Sequence, residues 1–170
     1  MRTNRVRRIE PGDVGAVVGL VEELAEYEKA REECRLTADQ LATALFGEAP
    51  AVFGHVAESD DGTVVGCALW FLNFSTWEGV HGIHLEDLYV QPAHRGGGLG
   101  RALLAALAAE CHERGYARLE WSVLDWNAPS IAFYRSLDAV AMDEWTTFRL
   151  AGTALDGLAR SAGSAEAGPR

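Results

Sequence analysis

The sequence predicts an α/β protein, because strand-like and helix-like segments alternate along much of its 170 residues. The alternation is clearest between Leu85 and Leu107, where a strand-like run, a glycine-rich loop and an Ala/Leu-rich helix follow one another. An Asp-Gly turn between two apolar runs further upstream adds an antiparallel hairpin. The length suits one domain, which we expect to span residues 1–150.

The first part of the chain predicts an edge strand followed by two helices. Residues 5–9 alternate as a short strand. Asp13 is suited to cap a first helix, in which the apolar residues between 14 and 25 form one stripe. The capping-box pattern of residues 37–40 starts a second helix, and Gly47 ends it.

The rest of the chain predicts further strands and two more helices. Strands at residues 51–59 and 64–74 flank the Asp-Gly turn, and the second is apolar nearly throughout, which favours a central place in the sheet. From residue 151 to residue 170, Ala, Gly and Ser dominate, so we expect a partly disordered tail. The elements between them are a strand at 85–90, a helix from Leu99 to Gly115, a strand at 119–124, a short helix after Asn127 and a strand at 146–150.

The composition excludes several classes of function. A formal net charge of −10 argues against nucleic acid as a partner, because phosphate binding needs a basic face. A cationic small molecule suits this charge better, although solubility alone would also explain it. No apolar run is long enough to span a membrane, and no apolar signal core follows the Arg-rich start, so we expect a cytoplasmic protein. Cys34, Cys67 and Cys111 are too scattered for a disulfide framework or a zinc site, and no metal is expected.

The loop from Arg95 to Arg101 has the spacing Arg-x-x-Gly-x-Gly at a strand-to-helix turn. Its glycines leave the backbone open to a ligand, and the next helix begins with exposed N–H groups, so the loop predicts a site for an anion such as phosphate. No Gly-Lys-Ser/Thr follows, and the glycine spacing does not fit the dinucleotide fingerprint. An ordinary glycine-rich turn would leave the same pattern.

This spacing resembles the pyrophosphate loop of the GCN5-related N-acetyltransferase (GNAT) superfamily, whose members bind acetyl-coenzyme A. The resemblance implies the acetyltransferase fold, a mixed α/β sheet that splays between its fourth and fifth strands. Helices cover both faces of that sheet, and the cofactor enters the gap. Here the splayed strands would be residues 85–90 and 119–124.

A second motif narrows the resemblance. Residues 126–134 contain Trp-Asn, Pro-Ser-Ile and Phe-Tyr, and Tyr27-Glu28 and Leu85-Glu86-Asp87 lie upstream. Together they are similar to the spermidine/spermine N-acetyltransferase group, which includes the diamine and thialysine enzymes. The resemblance implies acetyl transfer from acetyl-CoA to a primary amine of a small cation (a diamine, a polyamine or a lysine-like amino acid). It also implies a homodimer.

The resemblance further implies roles for individual residues. Glu86 would act as a water-assisted base, and Tyr134 would protonate the leaving CoA thiolate. Tyr27 and Glu28 would help Glu86 to hold the substrate amine, or would instead belong to a solvated helix face. The cofactor would be bound by the strand backbone (Leu88, Tyr89, Val90), the loop (Arg95, Gly96, Gly97, Gly98, Leu99, Gly100, Arg101) and the second motif (Asn127, Ser130).

The chemistry of amine acetylation agrees with these residue types. An alkyl amine with a pKa of about 10.4 is nearly all ammonium at neutral pH, so a carboxylate is needed to bind the cation and accept its proton. Adjacent residues of a strand point to opposite faces, so only one of Glu86 and Asp87 is expected to face the substrate, and we expect Glu86. His84 would share that face. Alternatively, both carboxylates merely end the strand.

Parts of the sequence depart from the family pattern. Asp138 stands where a glycine usually ends the helix, and Ser75 and Thr76 replace a loop acid, which leaves room for a shorter amine. Asp143 and Glu144 are candidates for a substrate-facing acid near the C-terminal end. Two other functions stay open, namely acetylation of a protein N-terminus or lysine, and acyl-CoA binding without catalysis.

Overall fold

The chain forms a five-stranded sheet in a computed structural model that describes residues 5–164. The strand order is β1-β2-β3-β4-β5. Neighbours among the first four strands pair antiparallel, whereas β5 lies parallel to β4, so the sheet is mixed. The strands are β1 (Arg5–Arg8), β2 (Phe53–Glu58), β3 (Val64–Ser75), β4 (Val80–Val90) and β5 (Leu119–Trp121).

Strand β4 begins earlier than predicted, at Val80, and β5 ends earlier, at Trp121.

The first four helices follow the order that the sequence predicts. No helix in the described part of the chain has both the length and the apolar character needed to cross a lipid bilayer. The helices are α1 (Val14–Tyr27), α2 (Ala38–Phe46), α3 (Leu99–Arg114), α4 (Ala128–Arg135) and α5 (Gly152–Ser164), and short 3-10 turns lie at Pro11–Asp13, Arg31–Glu33 and Pro92–His94.

Two adjacent arginines of β1 show that helices cover both faces of the sheet. Arg7 binds Asp13, directly before α1, and Arg8 forms an ion pair with Glu110 of α3. Successive strand side chains point to opposite faces, so α1 and α3 lie on opposite faces. The core beneath α1 and α2 is built from buried apolar side chains that include Val17, Leu20, Leu41, Leu45, Val56, Cys67 and Leu69.

The chain divides into two compact units between Ser122 and Val123. The first unit contains the whole sheet and helices α1 to α3. The second contains α4, α5 and the segment between them. The single domain of residues 1–150 that the length suggests stays a prediction.

Helix α4 of the second unit is closed at both ends by the residues expected there. Asn127 Oδ1 accepts the Ser130 N–H at 3.3 Å, which caps the first turn. Asp138 has a φ of +61° after the helix, and the Ala139 N–H donates to the Tyr134 carbonyl at 3.2 Å. Asp138 therefore forms the left-handed cap that its position predicts.

The C-terminal part of the second unit differs from expectation. Residues 165–170 of the tail predicted to be partly disordered lie outside the described part of the chain, and α5 lies in the described part of that stretch, which is consistent with its alanine and leucine content. The strand predicted at residues 146–150 is wrong for the single chain. Residues 139–150 are irregular around one turn, in which the Trp145 N–H donates to the Met142 carbonyl at 3.1 Å. A strand needs a ladder partner, and no described strand of this chain pairs with the segment.

The side chain of Asp13 does not cap α1, although the sequence predicts that role. Its Oδ2 accepts the Glu10 N–H at 2.8 Å, and its two oxygens accept from Arg7 at 2.6 and 3.0 Å. Arg7 also donates to Glu58 at 2.8 Å, so one guanidinium joins β1, β2 and the chain entering α1. The hydrogen bonds from Arg7 hold the pKa of Asp13 below its ordinary value, even though burial opposes this.

We predict that Asp13→Asn lowers the free energy of unfolding by about 1–3 kcal/mol at neutral pH, because the partly exposed Arg7 loses its buried charged partner. The Asp13 contribution is complete above the unfolded-state pKa of about 3.9 and is lost as the pH falls through the lower native pKa. Urea unfolding across the acid range measures both effects. Asp60→Asn, an exposed turn residue, is the matched control, and equal stability of the two variants at pH 7 would contradict the prediction.

Candidate active site

Strands β4 and β5 separate soon after they begin to pair. Their parallel ladder joins Ile83, His84 and Leu85 to Leu119, Glu120 and Trp121. Strand β5 then ends, whereas β4 continues to Val90. From Glu86 onward, the edge of β4 that faces β5 has no strand partner in the part of the chain described. The sheet is thus splayed where the resemblance placed the gap.

The register of β3 and β4 shows which backbone groups point into this gap. The Gln91 N–H donates to the Val65 carbonyl at 2.9 Å, and the same register pairs Tyr89 with Cys67. Hydrogen-bonded pairs alternate along an antiparallel ladder, so the backbone groups of Tyr89 face β3. Those of Leu88 and Val90 then face the free edge. Three strand residues are predicted to bind a cofactor through their backbone. Of these, only Leu88 and Val90 direct their backbone groups toward the gap.

The glycine loop presents a run of unused backbone amides. Gly96 and Gly98 have φ values of +79° and +88°, a region that other residues rarely adopt. The first helical hydrogen bond of α3 runs from the Ala102 N–H to the Gly98 carbonyl at 2.9 Å. Between Gly96 and Arg101, no amide donates to another backbone group within residues 5–164. Such a run at a helix start is suited to an anion, because the N–H dipoles converge there.

A groove with a volume of about 720 Å³ lies against this loop. Gly96, Gly97 and Leu99 line one wall, and the β2–β3 turn with Asp60 and Asp61 lines the other. Hydrogen bonds from the Ser59 hydroxyl and the Thr63 amide lower the pKa of Asp61 to about 2, so this wall stays anionic. The glycine wall is therefore the one suited to a bound phosphate.

The side chain of Arg95 joins the loop to the first unit's core. Its Nε donates to the Val90 carbonyl at 2.7 Å, and its guanidinium lies 5.3 Å from the Tyr89 ring and 5.7 Å from the Tyr27 ring. The Arg95 N–H donates to Pro92 at 3.3 Å. Arg95, which the sequence assigns to the cofactor, here holds the loop against β4 and the end of α1.

A bulge changes the expected directions of the two adjacent carboxylates on β4. Leu69 pairs with Asp87 and Trp70 pairs with Leu85, so Glu86 has no opposite residue. The inference that Glu86 and Asp87 point to opposite faces assumed strict alternation, which a bulge interrupts. Residue composition gives no signal of this bulge.

Glu86 is exposed, and its Oε2 lies 3.7 Å from His84 Nε2. The two side chains therefore share one neighbourhood, as their spacing of two residues predicts. Glu86 is also close enough to Asp87 for its charge to act on that carboxyl. The structure thus brings Glu86, His84 and Asp87 to the same stretch of β4, at the start of the free edge.

Asp87 is the carboxyl group that the sequence does not predict to face the substrate. Burial raises the pKa of Asp87 to about 6, and the charges of Glu86 and Glu28 add to the effect. Burial also raises the pKa of Glu28, which directly follows the last residue of α1. Two carboxyl groups with raised pKa values in a shared site favour the approach of a cation, because a nearby positive charge lowers the free-energy cost of ionising both groups.

The remaining predicted residues lie in the second unit. Asn127 and Ser130 form the cap of α4 described above, and the Tyr134 ring lies 5.5 Å from that of Phe133. Local structure alone explains Asn127 at the helix start, and the roles of all three toward a cofactor stay predictions. Among the described residues, no group of three or more His, Cys, Asp or Glu side chains could hold a metal ion.

The chain is similar in sequence to known acetyltransferases. Residues 18–138 match the profile of the acetyltransferase (GNAT) family. A thialysine N-epsilon-acetyltransferase from Bos taurus is 37% identical over 164 residues, covering 91% of this chain and 96% of that protein. The L-ornithine N5-acetyltransferase NATA1 of Arabidopsis thaliana is 28% identical, covering 91% of this chain and 87% of that protein.

A solved structure is similar over nearly the whole chain. It is an integron cassette protein from the mobile metagenome of V. cholerae, with a TM-score of 0.77 and 26% sequence identity. The match covers 94% of this chain and 99% of that one.

We predict that Asp87→Asn stabilises the protein, and that it does so mainly above pH 6. The native pKa of about 6 exceeds the unfolded value of about 3.9, so the native state loses stability as the pH rises between these values. Asparagine removes that penalty, which is worth about 1–3 kcal/mol above pH 6 and almost nothing near pH 4. Urea unfolding at both pH values measures the difference, with exposed Glu48→Gln as the control. A destabilised variant at pH 8 would contradict the assignment.

Proposed function

Because the chain belongs to the acetyltransferase (GNAT) family, we propose that it transfers an acetyl group from acetyl-CoA to a primary amine of a small cationic substrate. We place the side-chain amines of lysine-like amino acids first among the candidates, and diamines and polyamines second. The ranking is supported by similarity to relatives named for thialysine and ornithine.

The observation that carries the proposal is the group of carboxyl groups at the splayed edge. Glu86 is exposed, and Asp87 and Glu28 have raised pKa values. An ammonium ion placed between them would lower both pKa values again, because opposite charges favour the ionised carboxylate. The chain's net charge of −10 also favours the approach of a cation.

The residues of the first unit suit acetyl-CoA. This cosubstrate supplies an acetyl thioester at the end of a long arm that carries amides and a diphosphate. The N–H and C=O groups of Leu88 and the N–H group of Val90 are suited to pair with the amides of that arm, as an added strand would, whereas the Val90 carbonyl already accepts from Arg95. The unused amides from Gly96 to Arg101 are suited to bind the diphosphate.

Each acidic residue then has a separate task. Asp87 and Glu28 hold the ammonium group and orient it, since a bound cation favours ionisation of these two carboxyl groups with raised pKa values. Glu86, which is open to solvent, accepts a proton from the amine through a water molecule. The neutral amine is the nucleophile, so this proton transfer has to precede attack at the acetyl carbon. The Leu88 and Val90 amides are available to stabilise the oxyanion that develops.

The second unit supplies the acid in this proposal. The Tyr134 hydroxyl gives its proton to the departing thiolate, whose conjugate acid has a pKa of about 8.5. Asn127 and Ser130 contact the cofactor near the start of α4. These roles rest on the sequence resemblance.

We predict that the purified chain releases CoA thiol from acetyl-CoA when thialysine, lysine, ornithine, putrescine or spermidine is added, with the lysine-like amino acids giving the largest kcat/KM. A thiol-reactive dye follows the release. Acetylation of a peptide N-terminus with no turnover of free amines would replace the small-amine proposal. Tight CoA binding with no turnover of any amine or peptide would show a binding module instead.

We predict different kinetic effects for two adjacent carboxylate variants. Glu86→Gln should lower kcat about 100-fold with little change in KM for the amine, because it removes the base. Asp87→Asn should mainly raise that KM, by about 10-fold, because it removes a charged partner of the ammonium. Tyr134→Phe should lower kcat and leave the CoA dissociation constant unchanged. Identical effects of the two carboxylate variants would contradict the division of tasks.

A further inference from the structure

Glu86 has an imidazole beside it that its role as a base leaves unexplained. His84 Nε2 lies 3.7 Å from Glu86 Oε2, and the side chains are 30% and 61% exposed, respectively. Histidine is the side chain whose charge ordinarily changes between about pH 5 and 8. An imidazole at this distance is therefore a second proton acceptor next to the first, and both can reach water.

The bulge on β4 determines which face of the sheet His84 occupies. Leu69 of β3 lies in the core beneath α1 and pairs with Asp87. Phe71, two residues further along β3, pairs with His84. Alternate residues of a strand point to one face, so His84 and Asp87 both lie on the α1 face. A spacing of three would place them on opposite faces if Glu86 were not the inserted residue of the bulge.

The ring of His84 is supported by its neighbour across the ladder. Its centroid lies 4.8 Å from that of the Phe71 ring, and the two planes are inclined by 29°. Stacking on an apolar ring restricts the plane of the imidazole without using its nitrogen atoms. The Nε2 edge therefore stays available to Glu86.

The other charged groups around this pair are acids of the same site or are already bound. On the α1 side, the charges of Glu86 and Glu28 both act on Asp87. On the other side of β4, Glu120 of β5 pairs in register with His84. Its carboxylate accepts from Arg118 and from Asn73, at 3.0 Å in each case. Glu86 is thus the carboxylate that forms an ion pair with the His84 ring.

The proton balance of amide formation requires a second acceptor. An alkyl ammonium ion loses one proton before its nitrogen can attack the thioester. The nitrogen loses another after the N–C bond has formed, when the C–S bond breaks and the amide results. A carboxylate holds one proton at a time, so Glu86 has to be emptied between the two transfers.

We propose that His84 empties Glu86: the first proton passes from the amine to Glu86 and on to His84 Nε2, and Glu86, ionised again, accepts the second. Tyr134 protonates the departing thiolate. Of the two protons then held by His84 and Glu86, one restores Tyr134 through water and the other leaves to solvent. Each turnover therefore releases one proton. This proton path rests on the proposed function, and His84 acts in it through Glu86.

The pH dependence of kcat tests the proton path. His84→Gln should lower kcat about 10-fold at about pH 8, because Glu86 then empties only into water. The loss should disappear near about pH 5, where a wild-type imidazole is already charged and accepts no further proton. The matched control is His81→Gln, which removes an exposed imidazole of the same strand that contacts the Asn73 carbonyl, and it should equal the wild type at both pH values.

Two further kinetic comparisons separate this role from a structural one. The double variant Glu86→Gln with His84→Gln should be no slower than Glu86→Gln alone, because His84 acts through Glu86. Free imidazole should restore part of the rate that His84→Ala loses, since the site is partly exposed, and should not restore Glu86→Gln. Additive losses in the double variant would contradict the proton path.

Ring-nitrogen NMR of the wild type and of Glu86→Gln tests the contact without any turnover. Among the five histidines, His84 alone should change its Nε2 shift. An unchanged His84 ring overturns the proton path, and so does a His84→Gln variant that is as fast as the wild type or equally impaired at both pH values. If the wild type acetylates no amine, the proposed function fails and the proton path fails with it.

Discussion

The candidate site depends on the early end of the ladder between β4 and β5. Three residue pairs hold the two strands together, and beyond them the edge of β4 is free. If β5 continued, its backbone would occupy the N–H and C=O groups of Leu88 and Val90. Because it stops, β4 is paired with β3 on one side, except at the Glu86 bulge, and open on the other, which is the condition for a ligand to bind as an extra strand.

The two ends of this free edge have opposite electrostatic character. At the Val90 end, the chain turns into the glycine loop, whose unused amides attract an anion. At the Glu86 end, the bulge and the end of α1 gather carboxyl groups, and burial raises the pKa of Asp87 to about 6. In the proposed function, this strand binds an anionic cosubstrate at one end and a cationic acceptor at the other.

Much of this arrangement is encoded locally and could be predicted from the sequence. The left-handed glycines of the loop, the cap at Asn127 and the turn at Asp138 each follow from what one residue type can do. The bulge at Glu86 could not be predicted, because it results from how β3 and β4 are matched over their whole length. For the same reason, strict alternation along β4 favours Glu86 over Asp87, although both lie at the bulge.

Two other sequence predictions differ from the structure because they depend on partners that are distant in sequence. The sequence predicts that Asp13 caps α1, but Arg7 on β1 binds its carboxylate instead. The strand expected at residues 146–150 has the right alternation and lacks a neighbour, so pattern alone could not decide whether it forms within one chain. Sequence patterns indicate what a segment can become, and the availability of a partner decides the outcome.

The most direct test of the free edge and its glycine loop is an NMR titration of the ¹⁵N-labelled chain with CoA. The amides from Gly96 to Arg101 should shift as the diphosphate binds, and those of Leu88 and Val90 should gain protection from exchange. The amide of Tyr89, which already faces β3, should stay protected throughout. Saturation with CoA that leaves the loop and both β4 amides unchanged would contradict the central claim that this edge and loop bind the acyl carrier.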